Sequence, residues 1–192
     1  MKEKRAHGVV RPGGRTEQVR SAVATTVLEL IEAGNVEFEL QEVARLSGVH
    51  RTTIYRRWPD RASLIAEALG EHTARIDVQF TGDWRVDIRR MAFALRDFLS
   101  DPVEIAMNTL IATAGNAEFR GLTAAHWEPI LKRFQQPLVE AKARREIRSE
   151  TNAEMLIAMM IGPIISQIVF LKTIPDDGFI DQLVAQLINA CA

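Results

Sequence analysis

The chain has 192 residues, 47% hydrophobic and 26% charged, a globular composition that excludes a disordered chain. One cysteine, Cys191, excludes an internal disulfide framework, and a formal net charge of -1 excludes a protein that is basic along its whole length. The length suits one large domain, or a small domain joined to a medium one.

Residues 1–15 contain Gly8, Pro12, Gly13 and Gly14 and no apolar period, which predicts a flexible arm. The arm is basic: residues 1–20 carry six Lys/Arg against two acids. Thr16 is a plausible N-cap, and the spacing of Val19, Val23, Val27, Leu30 and Ile31 predicts a helix that Gly34 and Asn35 end. Leu40, Val43, Ala44 and Leu46 supply the apolar face of a short second helix, stopped by Ser47-Gly48. A third runs from about His50 to Trp58. Pro59 breaks the chain, and Asp60 caps a fourth helix with Leu64, Ile65, Ala68 and Leu69, which could continue through His72 to Val78.

After Gly82 the helical period resumes in Val86, Ile88, Met91, Leu95, Phe98 and Leu99, then in a helix from Val103 to Ala114. Glu118 to about Ile147 is long and amphipathic, and Pro129 and Pro137 predict a kink or break within it. Met155 to Leu171 is apolar on most sides but interrupted by Gly162, Pro163, Ser166 and Gln167. It falls short of the roughly 20 apolar residues of a membrane span, so a buried helix and no membrane is the expectation. A last helix runs from about Phe179 to Ala190. The expected fold class is all-α with about nine helices. The expected division is a flexible basic arm over 1–15, a helix-turn-helix unit over 16–62 and a larger helical unit over 63–192.

Charge is segregated again over residues 50–61, where four Arg face one acid, Asp60. Two short helices around a tight turn at Gly48 make the helix-turn-helix pattern, because a Cβ would clash in that turn. Val49 and Ile54 suit the small core, which leaves Arg51, Thr52, Tyr55 and Arg56 toward one outer face. A helix of this length fits the DNA major groove. There Arg51 or Arg56 could pair with guanine and Thr52 could touch a base edge, while Thr53, Tyr55, Arg57 and Arg61 carry donors for phosphates. Arg11 and Arg15 in the arm could add backbone or minor-groove contacts.

The segment Val43 to Leu69 resembles the DNA-binding signature of the TetR family of transcriptional regulators. Ala44, Gly48, Val49, Thr53, Ile54, Tyr55, Trp58, Arg61 and Leu64 carry the match in order. "RPGGR", "YRRWP" and the late "GPIISQIV" look like one subgroup of it. The resemblance implies a base-facing set of Gln41, Arg51, Thr52 and Arg56, and a phosphate set of Thr53, Tyr55, Arg57 and Arg61. It also implies a helical ligand-binding and dimerisation domain. The chain departs from the pattern at His50, a poorer N-cap than the usual Ser, at Glu37 and Glu39, whose charge would repel a nearby phosphate, and at Arg57.

Met155 to Leu171 and the last helix are apolar on too many sides for internal packing alone, which points to a homodimer through the last two helices. A ligand pocket is harder to read. Met91, Met107, Trp127, Met159 and Gln167 are the candidate contacts, with Trp84, Asn108, Thr113 and His126 beside them. There is no metal-ligand set around His72 or His126, no nucleophile–base pair and no phosphate loop, so neither an enzyme nor a cofactor is expected. The resulting expectation is a cytoplasmic, ligand-responsive regulator, a repressor released from a palindromic double-stranded DNA operator by a small-molecule effector. The alternative is a helical small-molecule-binding protein whose helix-turn-helix no longer binds DNA, with Glu37 and Glu39 as its support.

Overall fold

The computed structural model describes residues 14–113 and 116–191. Most of the expected basic arm, including Arg11, lies outside them. The described residues form nine α-helices and no strand: α1 Arg15–Glu32, α2 Leu40–Ser47, α3 Arg51–Arg57, α4 Arg61–Thr73, α5 Trp84–Leu99, α6 Pro102–Thr113, α7 Ala117–Ala143, α8 Ala153–Ile165 and α9 Asp177–Cys191. A five-residue π-helical turn, Ser166–Phe170, prolongs α8.

Most helix ends follow the local chemistry. α1 closes on Gly34 at φ 82°, with the Asn35 and Gly34 amides donating to the Leu30 and Ile31 carbonyls; this paired arrangement satisfies carbonyls that the helix leaves open. Asp60 caps α4 and shares a reciprocal capping box with Ser63. The start of α1 differs from expectation. Gly14, not Thr16, is its N-cap, because the Gly14 carbonyl already accepts from Glu17 and Gln18 and draws Thr16 into the first turn. α4 ends at Thr73, and Ile76 and Val78 are buried from a non-helical connection.

Two apolar cores hold these helices. The first joins Val23, Val27 and Ile31 of α1 to Val43, Ile54, Trp58, Leu64 and Leu69, and also to Val103 and Met107 of α6 and Phe119 of α7. The second is built from α5, α7, α8 and α9 around Trp84, Met91, Leu95, Phe134, Leu138, Ile164 and Leu187. α6 packs on α1, and α7 on α4, so the first core continues into the C-terminal half.

Three sequence expectations need correction. α7 runs unbroken through Pro129 and Pro137. Phe119, Phe134, Pro137, Leu138 and Ala141 are buried along one side of it, and that packing outweighs the hydrogen bonds the two prolines remove. Leu46 and Val86 are 46% and 41% exposed, Leu46 to one side of the buried Val43 and Ala44 of α2 and Val86 on the side of α5 opposite its buried residues. Ala153–Phe170 has the length and apolarity of a membrane span, but Leu156, Ile157, Met160, Ile164, Ile168 and Val169 face the protein core. Met155, Met159 and Phe170 on the same segment are exposed.

Candidate nucleic-acid interface and ligand cleft

α3 has only seven residues, so tertiary contacts rather than its own turns must fix it. Ile54 has no exposure and Trp58 is 4% exposed, and both enter the first core. Gly48 takes φ 68° at the turn from α2, a conformation that costs other L-residues free energy. His50 caps α3: its Nδ1 accepts from the Thr52 amide at 3.3 Å. The expected weak point of the motif is therefore closed by an imidazole nitrogen doing what a serine hydroxyl would do.

With one side of α3 pinned, Arg51, Thr52, Tyr55 and Arg56 are all exposed, with Tyr55 at 54%. Gln41, near the start of α2, is exposed as well. Arg15, Thr16, His50, Thr53, Arg56 and Arg57 line a shallow cleft of about 510 Å³ between the start of α1 and α3. Arg57 donates through Nη1 to the Thr16 carbonyl at 3.3 Å and lies 5.8 Å from the Trp58 ring centroid, which ties α1 to α3. Three guanidinium groups converge on this cleft with no carboxylate in its lining, an arrangement suited to a phosphate backbone.

Arg61 stands apart from the other expected phosphate contacts. Its guanidinium is held by Glu37 and, at 2.7 Å, by Glu118 at the start of α7. Asn116 donates to the same Glu37 carboxylate. The cluster joins the α1–α2 connection, α4 and α7, and these carboxylates hold the Arg61 pKa above its ordinary value. Glu37 therefore has Arg61 and Asn116 as partners, although its side chain stays largely exposed.

The expected pocket residues do not come together. Met91 and Met107 are buried in separate cores, at 0% and 1% exposure. Met159 is exposed on the outer side of α8, and Gln167 lies in the π-helical turn, where its Oε1 accepts from the Thr173 hydroxyl at 2.7 Å. Of the five, Trp127 lines an apolar cleft of about 390 Å³ together with Leu99, Asn108, Ile111, Arg120, Thr123, Ala124, Leu131, Ile161 and Ile165, and Met159 lines a separate cleft beside Arg148 and Met155. Arg120 and Thr123 carried no warning in the sequence. Their positions, four and seven residues before Trp127 on α7, are the spacing that could have found them.

Behind the cleft lies a buried polar pair. His72 of α4 and Glu104 of α6 have no exposure, and His72 Nε2 lies 3.3 Å from Glu104 Oε1. Burial first, only partly offset by His72, pushes the Glu104 carboxyl pKa up. Asn108 donates to the Glu104 carbonyl at 2.8 Å, and Phe98 sits between His72 and Trp127, at centroid distances of 4.8 and 5.8 Å. Cleft and α4 are thus in continuous contact. Among the described residues no group of three or more His, Cys, Asp or Glu could hold a metal ion.

Comparison with known proteins agrees with this geometry. Residues 78–187 match the tetracyclin repressor-like C-terminal domain. The chain is 33% identical over 178 residues to the DNA-binding transcriptional repressor TetR of Mycobacteroides abscessus, covering 87% of this chain and 90% of that one. It is 26% identical over 157 residues to the HTH-type transcriptional regulator AqdR of Rhodococcus erythropolis, covering 78% of this chain and 76% of that one. The crystal structure of a TetR-family regulator from a Rhodococcus species superposes with a TM-score of 0.71 at 17% identity, covering 92% of this chain and all of the other.

Proposed function

The chain belongs to the TetR family of transcriptional regulators, and from that premise we propose that it is a homodimeric repressor released from a palindromic operator by a small-molecule effector. The observation that carries this reading is the two-sidedness of α3: Ile54 and Trp58 buried, Arg51, Thr52, Tyr55 and Arg56 exposed. A buried face fixes the helix so that an exposed one can enter a major groove without reordering.

In this reading residues 16–62 bind DNA and 63–192 bind the effector and the second subunit. Gln41, Arg51, Thr52 and Arg56 face bases. Thr53, Tyr55 and Arg57, with Arg15, face phosphates. Arg61 reaches a phosphate only by leaving Glu37 and Glu118, so its first role is to brace α4 against α7. A reader of DNA acts where the chromosome is, which places the protein in the cytoplasm.

Dimerisation follows from the exposed apolar side of α8 and its continuation: Met155, Met159, Phe170 and Leu171 are 61%, 49%, 68% and 62% exposed. Apolar side chains in such a contiguous stretch mark an interface. α9 contributes less apolar surface than its sequence suggests, since Ile180, Val184, Leu187 and Cys191 are buried within the chain and Asp177 and Asp181 pair with Arg96 and Arg89 of α5. Two-fold pairing would set two α3 helices about 34–36 Å apart, one DNA turn.

Fluorescence anisotropy with the DNA upstream of the chain's own gene tests the reading. Saturable binding that prefers this DNA and weakens steeply with salt supports it. Absence of binding at low salt refutes it and favours the alternative, a small-molecule-binding protein without DNA affinity.

A further inference from the structure

We propose that the cleft between α6, α7 and α8 takes a ring-bearing organic monoanion, with Arg120 holding the anion and Asn108 accepting a hydrogen bond from a hydroxyl or N–H on the same molecule. This rests on the regulator reading and names the chemical class of its effector.

The apolar body of the site comes from Leu99, Leu131, Ile161, Ile165 and Trp127. At about 390 Å³ it lies within the range of small-molecule sites and has room for two or three fused rings. Trp127 packs edge-on to Phe98, with ring centroids 5.8 Å apart at 74°, so its indole is held as a firm wall against which a planar ring gains stacking contact.

Three polar side chains line the cleft, and their existing hydrogen bonds decide what each has left to offer. The Thr123 hydroxyl donates to the Phe119 carbonyl at 2.9 Å and keeps only acceptor capacity. Asn108 spends its amide nitrogen on the Glu104 carbonyl at 2.8 Å and on Glu104 Oε2 at 3.5 Å, which leaves Oδ1 as an acceptor. Arg120 is the one charged group of the lining, and no acid among the described residues pairs with it. The site thus presents one cation and two acceptors over an apolar body. An amine would be repelled by Arg120. A plain hydrocarbon would leave Asn108 and Arg120 without partners in a partly dry site, which is costly. A ring system with a carboxylate at one end and a hydroxyl at the other satisfies Arg120 and Asn108, while the Thr123 hydroxyl already has the Phe119 carbonyl as its partner. Arg120 is exposed, so the carboxylate sits at the mouth and keeps some of its water while the rings go inward.

Calorimetric titration of the full chain with 6-hydroxy-2-naphthoate, its primary amide and the corresponding aminomethyl compound tests the assignment. The carboxylate is expected to bind about tenfold more tightly than the amide, since a charge-assisted bond replaces a neutral one, with the aminomethyl compound weakest. Arg120→Gln, an exposed substitution, should bring carboxylate and amide within about twofold of each other, the removed charge being the source of the difference. Equal binding of carboxylate and amide by the unsubstituted protein, a preference that survives in Arg120→Gln, or no binding of any of the three overturns the proposal. DNA binding measured without compound is read separately. Specific DNA binding alongside equal affinities sinks this inference alone, and carboxylate-selective binding without DNA affinity upholds it while sinking the regulator reading.

Discussion

Replacing Ile54 by alanine should unfasten the DNA-reading helix. α3 spans seven residues and its fully buried side chain is Ile54. The change removes three carbons from a site of 0% exposure. Transfer alone costs about 0.8 kcal/mol per carbon, and incomplete collapse of the cavity adds to it, so about 3 kcal/mol is expected. For a chain of this size each kcal/mol lowers the thermal midpoint by about 2–4 °C, which predicts a fall of roughly 6–12 °C. Circular dichroism melts measure the fall. DNA anisotropy at a temperature where the variant remains folded should show weakened binding, because Arg51, Thr52, Tyr55 and Arg56 lose their common platform. Ile54→Val should cost about 1 kcal/mol and keep DNA affinity. A midpoint within 2 °C of the parent together with full DNA affinity for Ile54→Ala would refute the claim that this contact positions the helix.

Arg56→Ala should cost about 1–3 kcal/mol per half-site and relax base preference in a randomised-operator selection, while Arg57→Ala should weaken all sequences alike and flatten the salt dependence. Equal relaxation by both would undo that division of roles. Gly48→Ala meets no atom within 4 Å, so its expected cost of about 1 kcal/mol is purely the backbone penalty at φ 68°, read from a denaturant midpoint. Glu104 bears on pH. Burial raises its carboxyl pKa from the ordinary 4.5, so the unfolded chain loses this proton first and the group's contribution to stability falls as pH rises from there through the folded value. Glu104→Gln should therefore melt with a flatter dependence as pH rises above the ordinary carboxylate range, His72 and His126 being common to both proteins. A steeper dependence in the variant would contradict this. Met159→Glu or Phe170→Glu should convert dimer to monomer in sedimentation velocity, and an unchanged dimer would move the interface elsewhere.

Legibility followed the range of the forces involved. Helix ends set by neighbouring residues were readable: Gly34, Gly48 and Asp60 act where their spacing placed them. So was the exposed face of α3, since a seven-residue helix with one buried side leaves little choice for the other. The misses are tertiary. Pro129 and Pro137 are local breakers overruled by the buried side of α7. His50 reads as a poor cap until its rotamer brings Nδ1 to the Thr52 amide. Arg61 reads as a phosphate donor because Glu37 and Glu118 are 24 and 57 residues away in sequence.

The pocket shows the limit most clearly. Met91, Met107, Met159 and Gln167 are the right types for a ligand site, yet burial, outer exposure and the π-helical turn disperse them, while Arg120 and Thr123 join Trp127 in the one apolar cleft it lines. By itself the sequence determined the all-α class, the helix-turn-helix and its outward side chains, because periodicity and turn chemistry act over a few residues. Only the tertiary structure decided which polar groups meet in the cleft and which charges are already spent on one another, because those pairings join α4, α6 and α7 across distances that no local pattern encodes.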